Sequence, residues 1–358
     1  MTNPSVEFWK DRKVLVTGHT GFKGSWLVYW LHQMGANTVG VGLAPLASPN
    51  LFTLLNISTL CESHFLDIRN YEELQSLIIK SRPEIVIHMA AQALVRSSYK
   101  DPLYTFDTNV MGTANVLNAL RDLSSIKSVV CVTTDKVYKN QEHFYPYREI
   151  DELGGYDPYS ASKAASEIVI SSYRDSFLFQ QGVAVASARA GNVIGGGDWS
   201  QDRLIPDAIR AWDLGIPLEI RRPDAIRPWQ HVLEPLRAYL QLAEQLYENP
   251  SLVGAFNFGP EPNELISVRD IIELSKREYR VGKVIWGDGN GGPHEAGLLS
   301  LDISKSRNIL GIEPCWNSEK TIQRTMKWYR LLKEGNSAQD LCLSDISAFT
   351  NPQNQFES

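Results

Sequence analysis

The first half of the chain alternates short, nearly continuous apolar runs with longer segments of helical periodicity. Six such runs precede residue 191: KVLVTG (13–18), TVGVGL (38–43), SHFLDI (63–68), EIVIHMAA (84–91), SVVCVTT (128–134) and VAVASARA (183–190). Helical patterns lie between them near 22–34, 70–81, 101–123 and 158–181. Apolar strands separated by helices are typical of a parallel sheet that is covered on both faces. The predicted fold class is therefore α/β, a doubly wound sheet of the Rossmann type, in which ligands bind at the carboxyl ends of the strands.

The character of the sequence changes after about residue 191. A run of three glycines (195–197), several prolines and many tryptophans predict a smaller, less regular lobe. We predict a first domain at 1–190, to which a segment at about 228–260 contributes, and a substrate lobe at 191–334. The polar segment 335–358 is predicted to be a peripheral tail.

Composition excludes several classes of partner. The formal net charge of −6 argues against nucleic acid or an anionic membrane as the main partner. The cysteines at 61, 131, 315 and 342 show neither C-x-x-C nor ligand-like spacing to histidines, so we predict a reduced, cytoplasmic location and no metal site. No apolar run reaches the length of a membrane span, and the N-terminus lacks the apolar core of a signal peptide.

A glycine loop, TGHTGFKGSW, follows the first strand and opens a helix. Gly18 suits a tight turn, Gly21 lets the backbone approach a pyrophosphate, and Gly24 allows the helix to pack closely on the strand. The helix N-terminus adds N–H donors and partial positive charge. Glycine turns also occur in α/β loops for packing alone, but the strand before, the helix after and the further strands favour a dinucleotide site.

The end of the second strand, VGVGLAP, indicates which dinucleotide is bound. It has no acid for the adenosine ribose 2′-hydroxyl and no arginine for a 2′-phosphate. The missing arginine favours NAD over NADP. The loop residues expected to contact NAD are Gly18, Thr20, Gly21, Phe22 and Gly24.

A tyrosine and a lysine lie four residues apart in YDPYSASKAASE (156–167). Asp157 suits a helix N-cap and Pro158 the first helical position, which places Tyr159 and Lys163 one turn apart on one face. A free tyrosine has a pKa of about 10. A nearby ammonium, joined by the positive nicotinamide, is expected to lower that pKa, so that Tyr159 takes a proton from a hydroxyl whose carbon gives hydride to NAD. The alternative is a surface helix with an incidental Tyr-x-x-x-Lys.

Together these motifs resemble the extended short-chain dehydrogenase/reductase family, over about residues 10–330. The resemblance implies that the glycine loop holds the pyrophosphate and that Thr133, Thr134, Tyr159 and Lys163 surround the substrate hydroxyl beside the cofactor. It also implies that Asp67-Ile68 hold adenine and that Met89-Ala90-Ala91 lie on the nicotinamide side of the cofactor. Asn109 is expected to hold a structural water. Two of these have simpler interpretations: Asp67 as the cap of the helix at 70–81, and Asn109 as a core amide that bends its helix.

The fifth strand runs into Thr134-Asp135-Lys136. Nucleotide-sugar 4,6-dehydratases of this family carry Thr-Asp-Glu there, whereas members that only epimerise a sugar carbon usually have small, uncharged residues. The resemblance implies that Thr134 binds the hexose O4 and that Asp135 protonates the departing C6 hydroxyl. Lys136 stands in place of the glutamate base, but lysine is a base only if its pKa falls from about 10.4. Lys136 is therefore expected to remove the C5 proton, to stabilise enolate charge, or to hold Asp135 ionised. A solvated Asp-Lys pair on a loop is the alternative.

The implied chemistry explains why an acid and a base are needed. Oxidation at C4 acidifies the neighbouring C5–H, water is lost across C5 and C6, and the hydride returns to C6. The product is a 4-keto-6-deoxy sugar, and the reaction is redox-neutral overall.

Later segments resemble the members that act on CDP-glucose: RAGNVIGGGDW (189–199), DRLIPD (202–207), AIRPWQHV (225–232) and GPHEAGLLSLD (292–302). The resemblance places seven residues around the nucleotide sugar: Arg96, Asn192, Arg203, Leu204, Pro206, Arg227 and His294. Arginine suits a diphosphate because its planar fork binds two oxygens, although each arginine alone has an equally good interpretation as a surface charge. Glu295-Ala296 stand where thymidine-specific members usually carry two arginines, which favours cytidine.

The resemblance also implies a homodimer. Helical stretches 101–123 and 158–181 match those through which family members pair into a four-helix bundle. Val110, Ala114, Leu117 and Leu120 suit such a surface, or equally an intramolecular core. The predicted activity is that of an NAD-dependent hydro-lyase acting on CDP-glucose. The alternatives are a dehydratase of dTDP- or UDP-linked sugars, a nucleotide-sugar 4-epimerase, and a catalytically silent NAD-sensing scaffold.

Overall fold

The computed structural model describes residues 3–45, 47–289 and 297–351 of the chain. Strands β1 to β13 span Lys13–Thr17, Asn37–Gly42, Glu62–Phe65, Ile85–His88, Ser128–Val132, Ala184–Ala190, Val193–Ile194, Leu218–Ile220, Ile226–Arg227, Gln230–His231, Gly254–Phe258, Ile266–Ser267 and Val284–Trp286. Helices α1 to α15 span Val6–Trp9, Phe22–Gln33, Leu51–Leu54, Ile57–Leu60, Tyr71–Ser81, Val95–Lys100, Pro102–Phe106, Gly112–Ala119, Pro158–Tyr173, Leu204–Asp213, Leu233–Glu248, Val268–Tyr279, Ser304–Leu310, Ser318–Lys333 and Ala338–Thr350. Short π-helical turns at Asp107–Met111 and Arg174–Leu178 extend α7 and α9.

One parallel sheet organises the described residues. Its strand order is β3-β2-β1-β4-β5-β6-β11, and every neighbouring pair is parallel. The order reverses at β1, because β2 lies on one side of it and β4 on the other. Such a reversal leaves a crevice outside the carboxyl ends of the strands, where α/β proteins bind their ligands. The predicted α/β fold with a doubly wound parallel sheet is confirmed.

The apolar runs of the sequence are buried because the sheet has a core on each face. Along β5, Val130 and Val132 enter one core, while Val129 and Cys131 enter the other, as the two-residue period of a strand requires. Helices α5, α8 and α9 cover the second core, and α2, α11 and the carboxyl-terminal helices cover the first. Both faces therefore need branched apolar side chains, which is why these strands lack a polar alternation.

The segment at 228–260 contains α11, which packs against β5 and β6, and β11, which joins the sheet beside β6. The division into domains at 190 and 334 stays a prediction.

The predicted peripheral tail is wrong for residues 338–350. These residues form α15, and its buried positions recur every three or four residues: Ala338, Leu341, Cys342, Ile346 and Phe349. The many polar residues of this segment cover the outer face of an amphipathic helix, whose apolar stripe belongs to the core. Residues 352–358 lie outside the described part of the chain.

Candidate active site

A cavity of about 910 Å³ opens where β5 and β6 end. Thr133 and Thr134 line it at the end of β5, and Gly191 and Asn192 line it at the end of β6. The volume is in the range of pockets that hold small-molecule ligands. The cavity thus lies at the carboxyl edge of the parallel sheet, the edge at which α/β proteins bind their ligands.

The glycine loop joins β1 to α2 in a conformation that requires its first glycine. Gly18 has φ +79°, and a Cβ placed on it would come within 2.8 Å of the backbone nitrogen of Ala90. The N-cap of α2 is Gly21, which provides no side-chain hydrogen bond for the first turn of the helix. The N–H groups of that turn therefore remain available to an anion. The hydroxyl of Thr20, also in this loop, donates a hydrogen bond to the carbonyl of Leu43.

Two of the predicted cofactor residues are engaged with the protein itself. Asp67 does not cap α5, because Asn70 does so; its carboxylate instead receives bonds from the Arg69 guanidinium at 2.6–3.1 Å. Asn109 is buried in a π-helical turn, where it accepts from the backbone nitrogen of Gln92 and donates to Ser162 Oγ at 2.8 Å each. The contacts of Asn109 agree with the alternative of a core amide in a distorted helix.

The remaining predicted cofactor residues surround the carboxyl ends of β1 and β4. Ala90 and Ala91 are half-buried just after β4, and the Ala90 N–H donates to Thr17 Oγ1 at 3.1 Å. Ile68 is buried, and its Cδ1 occupies the space that a Cβ on Gly112 would fill.

Helix α9 carries Tyr159 and Lys163 as predicted from its sequence. Asp157 caps the helix by accepting from Ser160 N at 2.9 Å, and Pro158 is its first residue. Tyr159 lines the cavity, whereas Lys163 is buried behind it and donates to the carbonyl of Val132 at 2.9 Å. The two side chains lie on one helical face, but the ammonium is directed at the sheet.

Burial is the main influence on the pKa values of both groups. It raises the pKa of Tyr159 to about 12, a hydrogen bond with Thr134 opposes this, and the charge of Asp135 adds to it. Burial also lowers the pKa of Lys163 to about 8, against the opposing charge of Glu167. Each shift follows from the water that the group loses on folding. The predicted lowering of the Tyr159 pKa involves the bound nicotinamide and stays a prediction.

Asp135 and Lys136 form a one-turn 3-10 helix, Asp135–Val137, directly after Thr134. Asp135 has no exposed surface, and its Oδ1 accepts from Thr134 Oγ1 at 2.9 Å and from Lys136 Nζ at 3.2 Å. Its Oδ2 is buried without a hydrogen-bond partner among the described residues. Lys136 lines the cavity and also reaches Asn192 Oδ1 at 3.4 Å. Lys136 is therefore part of the cavity wall and Asp135 is buried next to it, so the alternative of a solvated loop pair does not describe them.

Six of the seven residues predicted around the nucleotide sugar line this cavity: Arg96, Asn192, Arg203, Leu204, Pro206 and Arg227. The seventh, His294, lies outside the described residues, as do Glu295 and Ala296. Arg203 pairs with Asp198 at 3.0 Å and caps α10, while Arg96 pairs with Asp202 across the cavity mouth. Arginines from three separate segments thus converge on one space, which suits an anion such as a diphosphate.

Lys23 also lines the cavity and is missing from the residues predicted above. It is the second residue of α2, and its Nζ lies 5.6 Å from the centre of the Tyr239 ring. Burial, with repulsion by Arg203 and Lys163, lowers its pKa to about 7. The signal was present in TGHTGFKGSW, where a lysine stands between the second and third glycines.

Trp229 and Glu219 complete the wall in the second lobe. Trp229 belongs to the quoted segment AIRPWQHV, so its place could have been inferred from that segment. For Glu219 no sequence signal exists, because β8 reaches the cavity only through the tertiary fold.

The described residues contain no group of three or more His, Cys, Asp or Glu side chains arranged to hold a metal ion. The polar groups of the cavity include hydroxyls, amines and guanidinium groups as well as carboxylates and amides. They are suited to proton transfer and to binding phosphate.

Comparisons with known proteins agree with this site. The family profile described as GDP-mannose 4,6 dehydratase matches residues 15–325. The chain is 46% identical over 336 residues to the CDP-glucose 4,6-dehydratase of Salmonella typhimurium, which covers 90% of this chain and 92% of that protein. It is 26% identical to the dTDP-glucose 4,6-dehydratase of the same organism, over 88% of this chain and 92% of that protein.

Solved structures share the fold. The UDP-glucuronic acid 4-epimerase of Bacillus cereus, in complex with UDP-glucuronic acid and NAD, superposes with a TM-score of 0.76 at 21% identity, over 89% of this chain and 99% of that one. The matching sheet, the Tyr-x-x-x-Lys helix and the family profile lead to one conclusion. The chain is an extended short-chain dehydrogenase/reductase and belongs to the GDP-mannose 4,6 dehydratase family.

Proposed function

We propose that the protein is an NAD-dependent CDP-glucose 4,6-dehydratase, a hydro-lyase that forms CDP-4-keto-6-deoxyglucose. One observation carries the reaction type: Lys136 lines the cavity with Thr134 and Tyr159, and the buried Asp135 is hydrogen-bonded to both Thr134 and Lys136. An epimerase needs the tyrosine but has no use for an acid-base pair at this point. The nucleotide rests on the 46% identity to the CDP-glucose 4,6-dehydratase of Salmonella typhimurium.

The residues present fit NAD. A side chain at Gly18 would collide with Ala90, so the loop keeps its backbone open to a close ligand. The α2 N-terminus has no side-chain cap and suits the pyrophosphate, and Lys23 adds a cation next to it. Thr133, Tyr159 and Lys163 are the residues that would hold the nicotinamide end. When bound, NAD supplies the hydride acceptor for the C4 of the hexose and the hydride that C6 later receives.

The first proton transfer falls to Tyr159. Thr134 hydrogen-bonds the phenol, which supports its proposed role in binding the same hexose hydroxyl, O4. In this proposal Lys163 stabilises the phenolate through its charge. Since burial is the main cause that raises the tyrosine pKa to about 12, loss of the proton requires added positive charge at this point.

Elimination falls to the turn after Thr134. The ketone at C4 acidifies C5–H, and Asp135 gives the C6 oxygen a proton as it leaves. Its buried Oδ2 has no hydrogen-bond partner among the described residues, which supports this assignment. Lys136, which reaches both Asp135 and Asn192, takes the C5 proton or holds the enolate charge; these two roles remain alternatives.

An activity assay tests the proposal. The purified protein is incubated with NAD and, separately, with CDP-, dTDP- and UDP-glucose, and products are identified by mass spectrometry and NMR. We expect a 4-keto-6-deoxy product from CDP-glucose, with deuterium from C4 recovered at C6 of the same molecule. A fully hydroxylated isomer would identify an epimerase instead, and preference for another nucleotide would overturn the cytidine assignment.

We infer that the protein assembles as a homodimer through α7 to α9. Large apolar side chains lie exposed there: Leu103 at 81%, Met111 at 53% and Ile168 at 60%. Leu117 and Leu120 are fully buried in the core. The sequence alone had been compatible with either this surface or the core for these two residues.

The described helices include none that is long and apolar enough to cross a membrane. We also propose a cytoplasmic location, which the free thiols of Cys61, Cys131 and Cys342 support.

A further inference from the structure

A buried carboxylate lies directly behind the proposed catalytic residues. Glu167 is four residues after Lys163 and eight after Tyr159 on α9, so all three share one helical face. Its side chain is 4% exposed. Neither its proximity to the site nor its partners were predicted from the sequence.

Four hydrogen bonds surround this carboxylate. Oε1 accepts from the Thr133 hydroxyl and from Arg189 Nε at 3.0 Å. Oε2 accepts from Ser187 Oγ at 2.7 Å and from Arg189 Nη2 at 2.9 Å. Thr133 follows β5, Ser187 and Arg189 lie in β6, and Glu167 lies in α9, so the carboxylate joins three elements. A buried ion pair with every acceptor position filled is rigid, because any rearrangement leaves a buried charge unpaired.

The network holds both ends of the turn at 134–137. On the amino-terminal side, Thr133 directly precedes Thr134. On the carboxyl-terminal side, Tyr138 follows the turn, and its hydroxyl accepts from Arg189 Nη1 at 2.9 Å and donates to Asn257 at 2.7 Å. Asp135 and Lys136 thus lie on a segment whose two flanking residues are connected to one carboxylate.

Glu167 also supplies charge to Lys163. Burial lowers the pKa of Lys163 to about 8, and Glu167 is the largest influence that opposes this. The other titratable groups near this ammonium include Tyr159 one turn earlier on α9, Cys131 on β5, His88 on β4 and Lys23 on α2. Of these groups, Glu167 contributes the negative charge of a carboxylate, which favours the protonated form of Lys163. Any charge on His88 or Lys23 is positive and disfavours it.

We propose that Glu167 is a positioning residue of this active site. Through Thr133 and the Arg189–Tyr138 arm it holds the turn that carries Asp135 and Lys136, and its negative charge keeps Lys163 an ammonium. The inference rests on the proposed dehydratase function, since it assigns Glu167 to the same reaction.

The test compares kcat, KM and the pH profile of Glu167→Gln with those of the wild type. Changes to residues that orient a site from behind typically reduce activity about 10–100-fold, and we expect a kcat loss of this size. KM for CDP-glucose should change little, because Glu167 does not line the cavity. The alkaline limb of the kcat profile should move to lower pH by about one unit or more, since the lost charge no longer supports protonation of Lys163.

Two further variants separate charge from packing. Glu167→Asp keeps the charge, so its alkaline limb should stay with that of the wild type even if its kcat falls. Ser187→Ala removes one hydrogen bond and no charge, so it should leave the profile unchanged. Glu167→Gln leaves Arg189 without its carboxylate partner. If this variant fails to fold, the double variant Glu167→Gln/Arg189→Gln is used in the same measurement, because it buries neither charge.

The results separate the two proposals. A wild-type protein that dehydrates no nucleotide sugar would overturn the proposed function and this inference with it. An active wild type whose Glu167→Gln variant keeps both kcat and the position of the alkaline limb would overturn the inference alone. A 6-deoxy CDP-hexose gives a second measurement, because it can be oxidised at C4 but cannot lose water. The rise in absorbance at 340 nm on mixing it with the NAD-loaded protein should be slowed in Glu167→Gln with the same pH shift.

Discussion

Tyr159 and Asp135 lie within one site but have opposite requirements. In the proposed mechanism Tyr159 loses a proton, although burial raises its pKa to about 12, so its activity depends on nearby positive charge. In the same mechanism Asp135 delivers a proton, and its hydrogen-bond partners among the described residues are Thr134 and Lys136. The two residues therefore act in different steps, and substitutions should separate those steps.

We expect Tyr159→Phe to remove the first step and Asp135→Asn the second. General acid–base groups typically contribute about 10²–10⁴-fold. Tyr159→Phe should therefore lose hydride transfer to this extent, seen as the absence of a 340 nm signal on rapid mixing with NAD and substrate. Asp135→Asn should keep that signal and form the 4-keto-6-deoxy product about 10²–10⁴-fold more slowly. Tyr173→Phe, at the far end of the same helix, serves as the control. Equal loss of hydride transfer in both active-site variants would contradict this division of roles.

Helix α15 determines the stability of the carboxyl-terminal side of the molecule. Phe349 is buried, and its ring packs edge-on against Trp316 and Trp30 with centroids 5.0 and 6.2 Å apart. Trp30 lies on α2, the helix that begins at the glycine loop. Phe349, although distant in sequence from the glycine loop, thus packs against α2, the helix that begins at that loop.

We expect Phe349→Ala to lower the free energy of unfolding by about 3–5 kcal/mol, because it removes a large ring from a packed core. Leu343→Ala is the matched control on the same helix, since Leu343 is 41% exposed. Its effect should stay within about 0.5 kcal/mol, as is usual for surface positions. Urea denaturation followed by tryptophan fluorescence measures both. Similar values for the two variants would show that α15 is not part of the cooperative core.

At the scale of the whole molecule, the exposed apolar surface on α7 to α9 is the feature that a monomer does not explain. Scattered exposed apolar residues are ordinary, but a patch of several large ones on adjacent helices usually marks an interaction site. The helices of this patch also carry Asn109 and Tyr159, so the proposed dimer interface and the proposed active site share their elements.

We expect Leu103→Arg to convert a dimer to a monomer, because the charge would be buried without a partner in the interface. Sedimentation velocity should then give a mass near the 40.2 kDa of one chain. Leu214→Arg is the control, since Leu214 is 74% exposed in the other lobe. A wild type that already sediments as a monomer would refute the dimer.

Prediction from the sequence succeeded where a few neighbouring residues decide the structure. The six apolar runs became β1 to β6, and the Asp157 cap and Pro158 begin α9 as their residue types require. It failed for α15, because the polar composition of this segment does not indicate whether its narrow apolar stripe packs against the core. The burial that raises the pKa of Tyr159 was not predicted, because desolvation depends on the packing of distant segments.

By itself, therefore, the sequence determined the parallel sheet and the glycine loop. It also identified the candidate catalytic side chains, which are Thr134, Asp135, Lys136, Tyr159 and Lys163. These follow from local periodicity, turn chemistry and motifs within a few residues. Only the tertiary structure decided which charges are buried and what they contact. Glu167 meets Thr133 and Arg189 across gaps of 34 and 22 residues, and no local pattern specifies such a meeting. Electrostatics in a folded protein depends on distance and burial, and both are set by the packing of the whole chain.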